Sequence, residues 1–180
     1  MFIDETWCKT NMQRLRGRAP RGQRVIGTVP FGHWKTTTLI HAHPRSSTLV
    51  AALDLSGVRC STPVDGAVNA DVSASFCSQV LCPRLREDDL VVTDNLSSHK
   101  GRAVRGLIEA AGAKAVFLPP YSPDLNPIEP AFGKLKQLWR SPAARTVDLL
   151  WSSTPSLLDK ITASDAAGFF KHCGYTLQLK

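Results

Sequence analysis

A chain of 180 residues with 43% hydrophobic positions is long enough for one domain with a real core, which excludes a disordered tail or a disulfide-stapled miniprotein. Lysine plus arginine (22) exceed aspartate plus glutamate (15), giving a net charge of +7 that favours polyanionic partners without identifying one. The five cysteines form no CxxC pair, no apolar run approaches the ~20 residues of a membrane span, and the first residues lack a signal-peptide pattern, so a soluble cytoplasmic protein with reduced thiols is expected.

Residues 2–7 predict a strand in which bulky side chains flank Asp4 and Glu5. Taken alone, that acidic pair suits an edge strand whose carboxylates face water. Residues 14–24 carry five arginines, Arg14, Arg16 and Arg18 among them, between glycines and a proline. That composition makes a turn, either gripping phosphates or simply solvated. Strands are predicted at 34–42 and 48–53, with Pro44 between them. His41 and His43 share a strand face, but no third soft ligand accompanies them, so ordinary histidines are expected. After a turn at Asp65-Gly66, a helix is predicted over 70–82, capped by Asn69 or Asp71 and stopped by Pro83. Cys77 and Cys82, five apart, are not expected to share its face.

Residues 90–93 form a short apolar strand that ends at Asp94. Ligands of open α/β sheets collect beyond the carboxyl ends of strands, which favours a chemical role for Asp94, although an aspartate there could equally cap the next helix. A helix over 101–111, stopped by Gly112, and a strand over 115–118 imply a right-handed crossover between parallel strands. The chain then enters LPPYSPDLNPIEPAFGKLKQL, residues 118–138. Four prolines make residues 118–125 a stiff, non-helical connector. Asn126, Pro127 and Glu129 read as N-cap, N1 and N3 of a helix whose apolar stripe is Ile128, Phe132, Leu135 and Trp139. Glu129 alone would serve as a capping-box acid. The rest predicts short helices at 145–151 and 156–161, separated by Pro155, and a helix over 166–172 with a capping box from Thr162 to Asp165. These helices are expected to cover one sheet face.

Three stretches closely resemble one family. PPYSPDLNPIE followed by F-x-K-L-K resembles the last-acid signature of mariner-like DDE transposases, in particular their bacterial insertion-sequence relatives. VVTDNLSSHK resembles the family's second-aspartate motif, and FIDE its first. The 34 residues between Asp94 and Glu129 match the mariner-like spacing. The HAHPRSS segment, residues 41–47, departs from the pattern as an apparent insertion that puts local strand pairing in doubt.

The resemblance implies an α/β fold, an RNase H-like mixed sheet flanked by helices, with the whole chain, 1–180, as one DDE catalytic domain. It also implies Asp4, Asp94 and Glu129 as the catalytic and metal-binding acids. Three hard carboxylates suit Mg²⁺ or Mn²⁺, expected as a pair of ions. The implied reaction is nicking at transposon ends and joining of the freed 3′-hydroxyl to target DNA. Glu5, Asn95 and His99 would support the site or touch phosphate. Lys134, Lys136 and Arg140, with Arg14, Arg16 and Arg18, would meet the DNA backbone or form solvated faces. Implied partners are double-stranded DNA at transposon ends and target, a second copy in a homodimer, and an upstream helix-turn-helix reading frame or fusion half, because family members carry such modules ahead of Asp4's strand. A structure-specific nuclease that never joins strands, or an inactive DNA-binding remnant, are the alternative readings.

Overall fold

Strand β1, Phe2–Cys8, begins as expected, but its place is central: in the computed structural model it lies third of the five strands among the described residues of the sheet. The structure describes residues 1–8, 20–23, 47–94, 102–140 and 147–176. The predicted strand at 34–42, His41 and His43, residues 41–46 of the expected insertion, and Arg14, Arg16 and Arg18 lie outside them. β2 (Ser47–Asp54) and β3 (Gly57–Asp65) extend the sheet on one side, β4 (Leu90–Thr93) and β5 (Lys114–Phe117) on the other, in the order β3-β2-β1-β4-β5. β1 pairs antiparallel with β2 and parallel with β4, and β4 pairs parallel with β5 across the predicted crossover helix α2 (Arg102–Ala110). The sheet is therefore mixed, as the fold expectation requires.

A sheet covered on both faces reads as continuous apolar sequence rather than alternation, and β2 does so: Leu49 to Leu53 are all buried. On one face Phe2, Leu49, Ala51 and Leu53 pack against α3 (Ile128–Trp139), α4 (Val147–Leu158) and α5 (Ala163–His172). The Phe2 ring meets Phe170 and Tyr175 edge-on, with centroids 5.3 and 5.2 Å away. On the other face Ile3, Val50 and Ala52 pack against α1 (Ala70–Phe76), the turn that follows it, and α2. Among the described residues no helix is long and apolar enough to cross a membrane.

Four local expectations change. β3 was not foreseen, because Pro63 breaks the strand signal; among the described residues β3 is an edge strand, the place where a sheet tolerates a proline. The predicted helix over 70–82 is capped by Asn69, whose Oδ1 accepts from Val72 N at 2.9 Å. It stays α-helical only to Phe76, then loosens into a π-turn, Cys77–Leu81, and a 3₁₀ turn, Cys82–Arg84. The π-turn bonds Cys82 N–H to the Cys77 carbonyl, so residues five apart become neighbours, against the expectation for an α-helix. Burial, with Cys82 beside it, pushes the Cys77 thiol up to about 12, so it stays a packing group. Lastly, α4 runs unbroken through Pro155. A mid-helix proline costs about 3 kcal/mol. Leu150 and Leu157, one on each side of it, are both buried in the same core, and Thr154 ties the helix to α3 by accepting from Trp139 Nε1 at 3.0 Å. Burial of two leucines offsets such a cost. The Thr162–Asp165 capping box forms as expected and starts α5.

The β2–β3 turn carries a first prediction. Gly57 has φ +117°, and a Cβ added there would stand 2.7 Å from the Ile161 backbone oxygen. Gly57→Ala should therefore lower stability by about 1–3 kcal/mol in urea unfolding. Wild-type stability in that variant would mean the turn moves freely off α5's entry.

Candidate active site

The register of the sheet brings two acids together. Ile3 lies opposite Thr93 in the parallel β1–β4 pair, so the next residues along each strand are Asp4 and Asp94. Asp4 shares its strand face with Phe2, the face that α3 covers, and it is buried, at 5% exposure. The edge-strand reading of Asp4 fails because β1 is central. The Glu5 side chain falls on the opposite face by strand alternation, and its charge acts on Asp4 as a like charge. Asp94 is half-buried just past β4. Asn95 and His99 lie outside the described residues.

The third acid arrives through the proline arm. β5 hands the chain on with Leu118 N donating to Thr93 O at 2.9 Å, which pins the arm beside Asp94. Residues 119–122 follow without regular structure, with Tyr121 at φ +56° and its ring fully exposed. The expectation of a wholly non-helical connector needs one correction: Pro123–Leu125 closes a 3₁₀ turn, in which Asn126 N donates to Pro123 O at 3.0 Å. Proline at the first position of a 3₁₀ turn gives up no needed donor. α3 then starts at Ile128, and its buried stripe is Ile128, Phe132, Leu135 and Trp139, as predicted.

The capping chemistry differs from expectation. Neither Asn126 nor Glu129 caps α3 with its side chain. The Asn126 amide is already bonded within the 3₁₀ turn, so a capping glutamate has nothing to reach. Asn126 instead donates from Nδ2 to Asp4 Oδ2 at 2.7 Å, a buried bond between residues 122 apart in sequence. Asp4 Oδ1 accepts from Glu5 N at 2.8 Å. Both oxygens of Asp4 are thus held. Glu129, freed from capping, is exposed at the mouth of the cleft.

Asp4, Asp94, Glu129, Asn126 and the 118–123 arm line one cleft of about 320 Å³. Burial, then the negative charges of Asp94, Glu129 and Glu5, push the Asp4 carboxyl up to about 7, against the opposing pull of the Glu5 amide. A larger recess of about 440 Å³, beside Met1, Asp54, Arg59 and Phe170, mixes opposite charges, and Arg59 there already pairs with Asp54 at 3.3 Å. The charged side chains that line the acid cleft among the described residues are all carboxylates. Among the described residues no three His, Cys, Asp or Glu side chains stand close enough together to hold an ion as they are. The donor set nevertheless suits a hard divalent cation: carboxylate oxygens only, with a buried acid whose ionisation its like-charged neighbours oppose.

Of the predicted basic contacts, Lys134 pairs with Asp165 at 2.6 Å, tying α3 to the α5 cap and holding the Asp165 carboxyl down at about 2. Lys136 lies over the exposed Trp7 ring, 5.0 Å from its centroid. Asn126 is the site residue that sequence reasoning assigned to another task; N-P-x-E before an apolar stripe is also how an ordinary helix start is written.

Residues 1–150 match the model of the DDE superfamily endonuclease family. No curated protein matches the chain. The fold is similar to the Mos1 mariner paired end complex with Mn (TM-score 0.59, 18% identity, 96% of this chain and 50% of that one) and to the mariner Mos1 paired end complex with Mg (TM-score 0.59, 17% identity, 96% and 52%). It is also similar to the Mos1 strand transfer complex (TM-score 0.52, 21% identity, 98% and 55%). The chain spans about half the length of the Mos1 chains it matches.

Proposed function

Because the chain belongs to the DDE superfamily endonuclease family, we propose that it is the catalytic domain of a DNA transposase, cutting DNA at transposon ends and joining the freed 3′-hydroxyl to target DNA with Mg²⁺ or Mn²⁺. The observation that carries this reading is the meeting of Asp4, Asp94 and Glu129, from two neighbouring strands and a helix start, in one cleft. Two divalent ions, when bound, supply an activated attacking oxygen and charge stabilisation for the leaving oxygen of an in-line displacement at phosphorus.

The chain's own part is positioning. Asp4, buried and gripped at both oxygens, is the fixed wall of the site. Asp94 and Glu129 would complete the ligand set from the cleft's other sides. The 118–123 arm, pinned by Leu118 to β4, sets the distance between the Asp94 strand and the Glu129 helix. Lys136, next to Trp7, would face the DNA backbone. Recognition of transposon ends is assigned to a helix-turn-helix module supplied by an upstream frame or fusion half, and paired ends to a homodimer.

The test is labelled duplex DNA incubated with this chain and Mg²⁺, with and without such a module fused ahead of it. Nicked products and joined products are both expected. Nicking without joining in either form would reassign the chain as a nuclease.

Binding itself should be largely electrostatic, given the net charge of +7. If six phosphates are contacted, affinity should fall about 10³-fold between 50 and 200 mM salt, with little difference between duplex sequences. Tight binding to one sequence that survives high salt would contradict this.

A further inference from the structure

Asn126 links the first and last acids of the cleft. Its backbone carbonyl accepts from Glu129 N at 3.1 Å, while its side-chain amide donates to Asp4 Oδ2 at 2.7 Å. Its own N–H is spent on Pro123 O. One residue therefore fixes where the Glu129 helix starts relative to the Asp4 carboxylate, across most of the chain's length.

The arrangement is costly for a residue that only fills space. Asn126 is 3% exposed, and its Oδ1 is buried with no hydrogen-bond partner among the described residues. A buried, unmatched amide oxygen is destabilising, whereas an apolar side chain of similar shape would leave nothing unsatisfied. In the observed orientation the amide nitrogen, not the oxygen, faces Asp4 Oδ2. What the asparagine brings, and leucine lacks, is the donor on Asp4.

With Glu5 N on Oδ1 and Asn126 Nδ2 on Oδ2, the Asp4 carboxylate is gripped at both ends and cannot rotate. One lone-pair direction on each oxygen remains for another partner. Groups that orient metal-bound carboxylates in this way contribute strongly to metal affinity.

We propose that Asn126 is a positioning residue for the divalent-metal site, setting the plane of the Asp4 carboxylate and its distance from Glu129. This rests on the reading of the cleft as a metal site, and the measurements below separate the two. Mn²⁺ binding to the metal-stripped chain is followed by the electron paramagnetic resonance signal of free Mn²⁺, for wild type, Asp94→Asn, Asn126→Leu and Asn126→Ala. Asn126→Leu keeps the volume and removes the donor, and Asn126→Ala is the second variant should leucine not be accommodated. The dissociation constant should rise 10- to 100-fold in either Asn126 variant, while circular dichroism and the metal-free melting curve report a folded domain. Wild-type Mn²⁺ affinity in a folded Asn126 variant overturns this inference alone. Absence of binding by wild type, or binding untouched by Asp94→Asn, overturns the metal-site reading beneath it.

Discussion

Asp94→Asn should remove Mg²⁺-dependent DNA cleavage, by roughly 10³-fold or more, while leaving DNA binding in gel shifts intact. The substitution keeps the shape but replaces one carboxylate oxygen by an amide NH2, in a cleft whose proposed chemistry depends on carboxylates. Asp4→Asn and Glu129→Gln should each cause a similar loss. Groups that work as a unit give non-additive effects, so any double variant should be little worse than a single one. Asp94 lies past the end of β4 and holds no core together, so a folding defect is not the expected cause. Cleavage at wild-type rate in Asp94→Asn would sink the assignment of all three acids.

The second large effect concerns stability without metal. Burial and its acidic neighbours push the Asp4 carboxyl up from its ordinary value of about 3.8 to about 7 in the fold. The folded chain therefore holds this proton over a range where the unfolded chain has lost it, so stability is greatest below the unfolded value. It declines as pH rises towards 7 and levels off above. A shift of this size corresponds to on the order of 4 kcal/mol. In urea unfolding with chelator present, the domain should be more stable at pH 5 than at pH 8 by about 2–3 kcal/mol, the rest of the effect lying below pH 5. Asp4→Asn should flatten the difference, and Mg²⁺ or Mn²⁺ should restore wild-type stability at pH 8. Equal stability at both pH values with chelator present would show that Asp4 ionises freely in the fold.

How much of this was legible depends on the kind of signal. Central strands and the stripe of Ile128, Phe132, Leu135 and Trp139 were readable because apolar periodicity reports burial directly. β3 was not, since Pro63 erases the strand signal and only its place at the edge among the described residues makes the proline harmless. Pro155 misled in the opposite direction: tertiary burial on both sides of it keeps α4 whole against local propensity. Asp4 and Asp94 read as strand-associated acids, but that they are lateral neighbours depends on register, which needs the partner strand. Asn126 shows the sharpest limit. Its sequence neighbourhood is that of a helix cap, and nothing local says that its amide is claimed by a residue 122 positions away.

The central position of β1 also bears on when the domain becomes active during synthesis. The strand bearing Asp4 leaves the ribosome before the segments it pairs with: its partners on the two sides are residues 47–53 and 92–93, and its clamp is residue 126. Such non-local pairings must wait for the later segments, because closing long loops comes before any contact rewards it. A growing chain can close the β2–β3 hairpin early, but all three acids can meet only after residue 129 has emerged. The nascent polypeptide thus carries no assembled acid cleft while most of the domain is still being made.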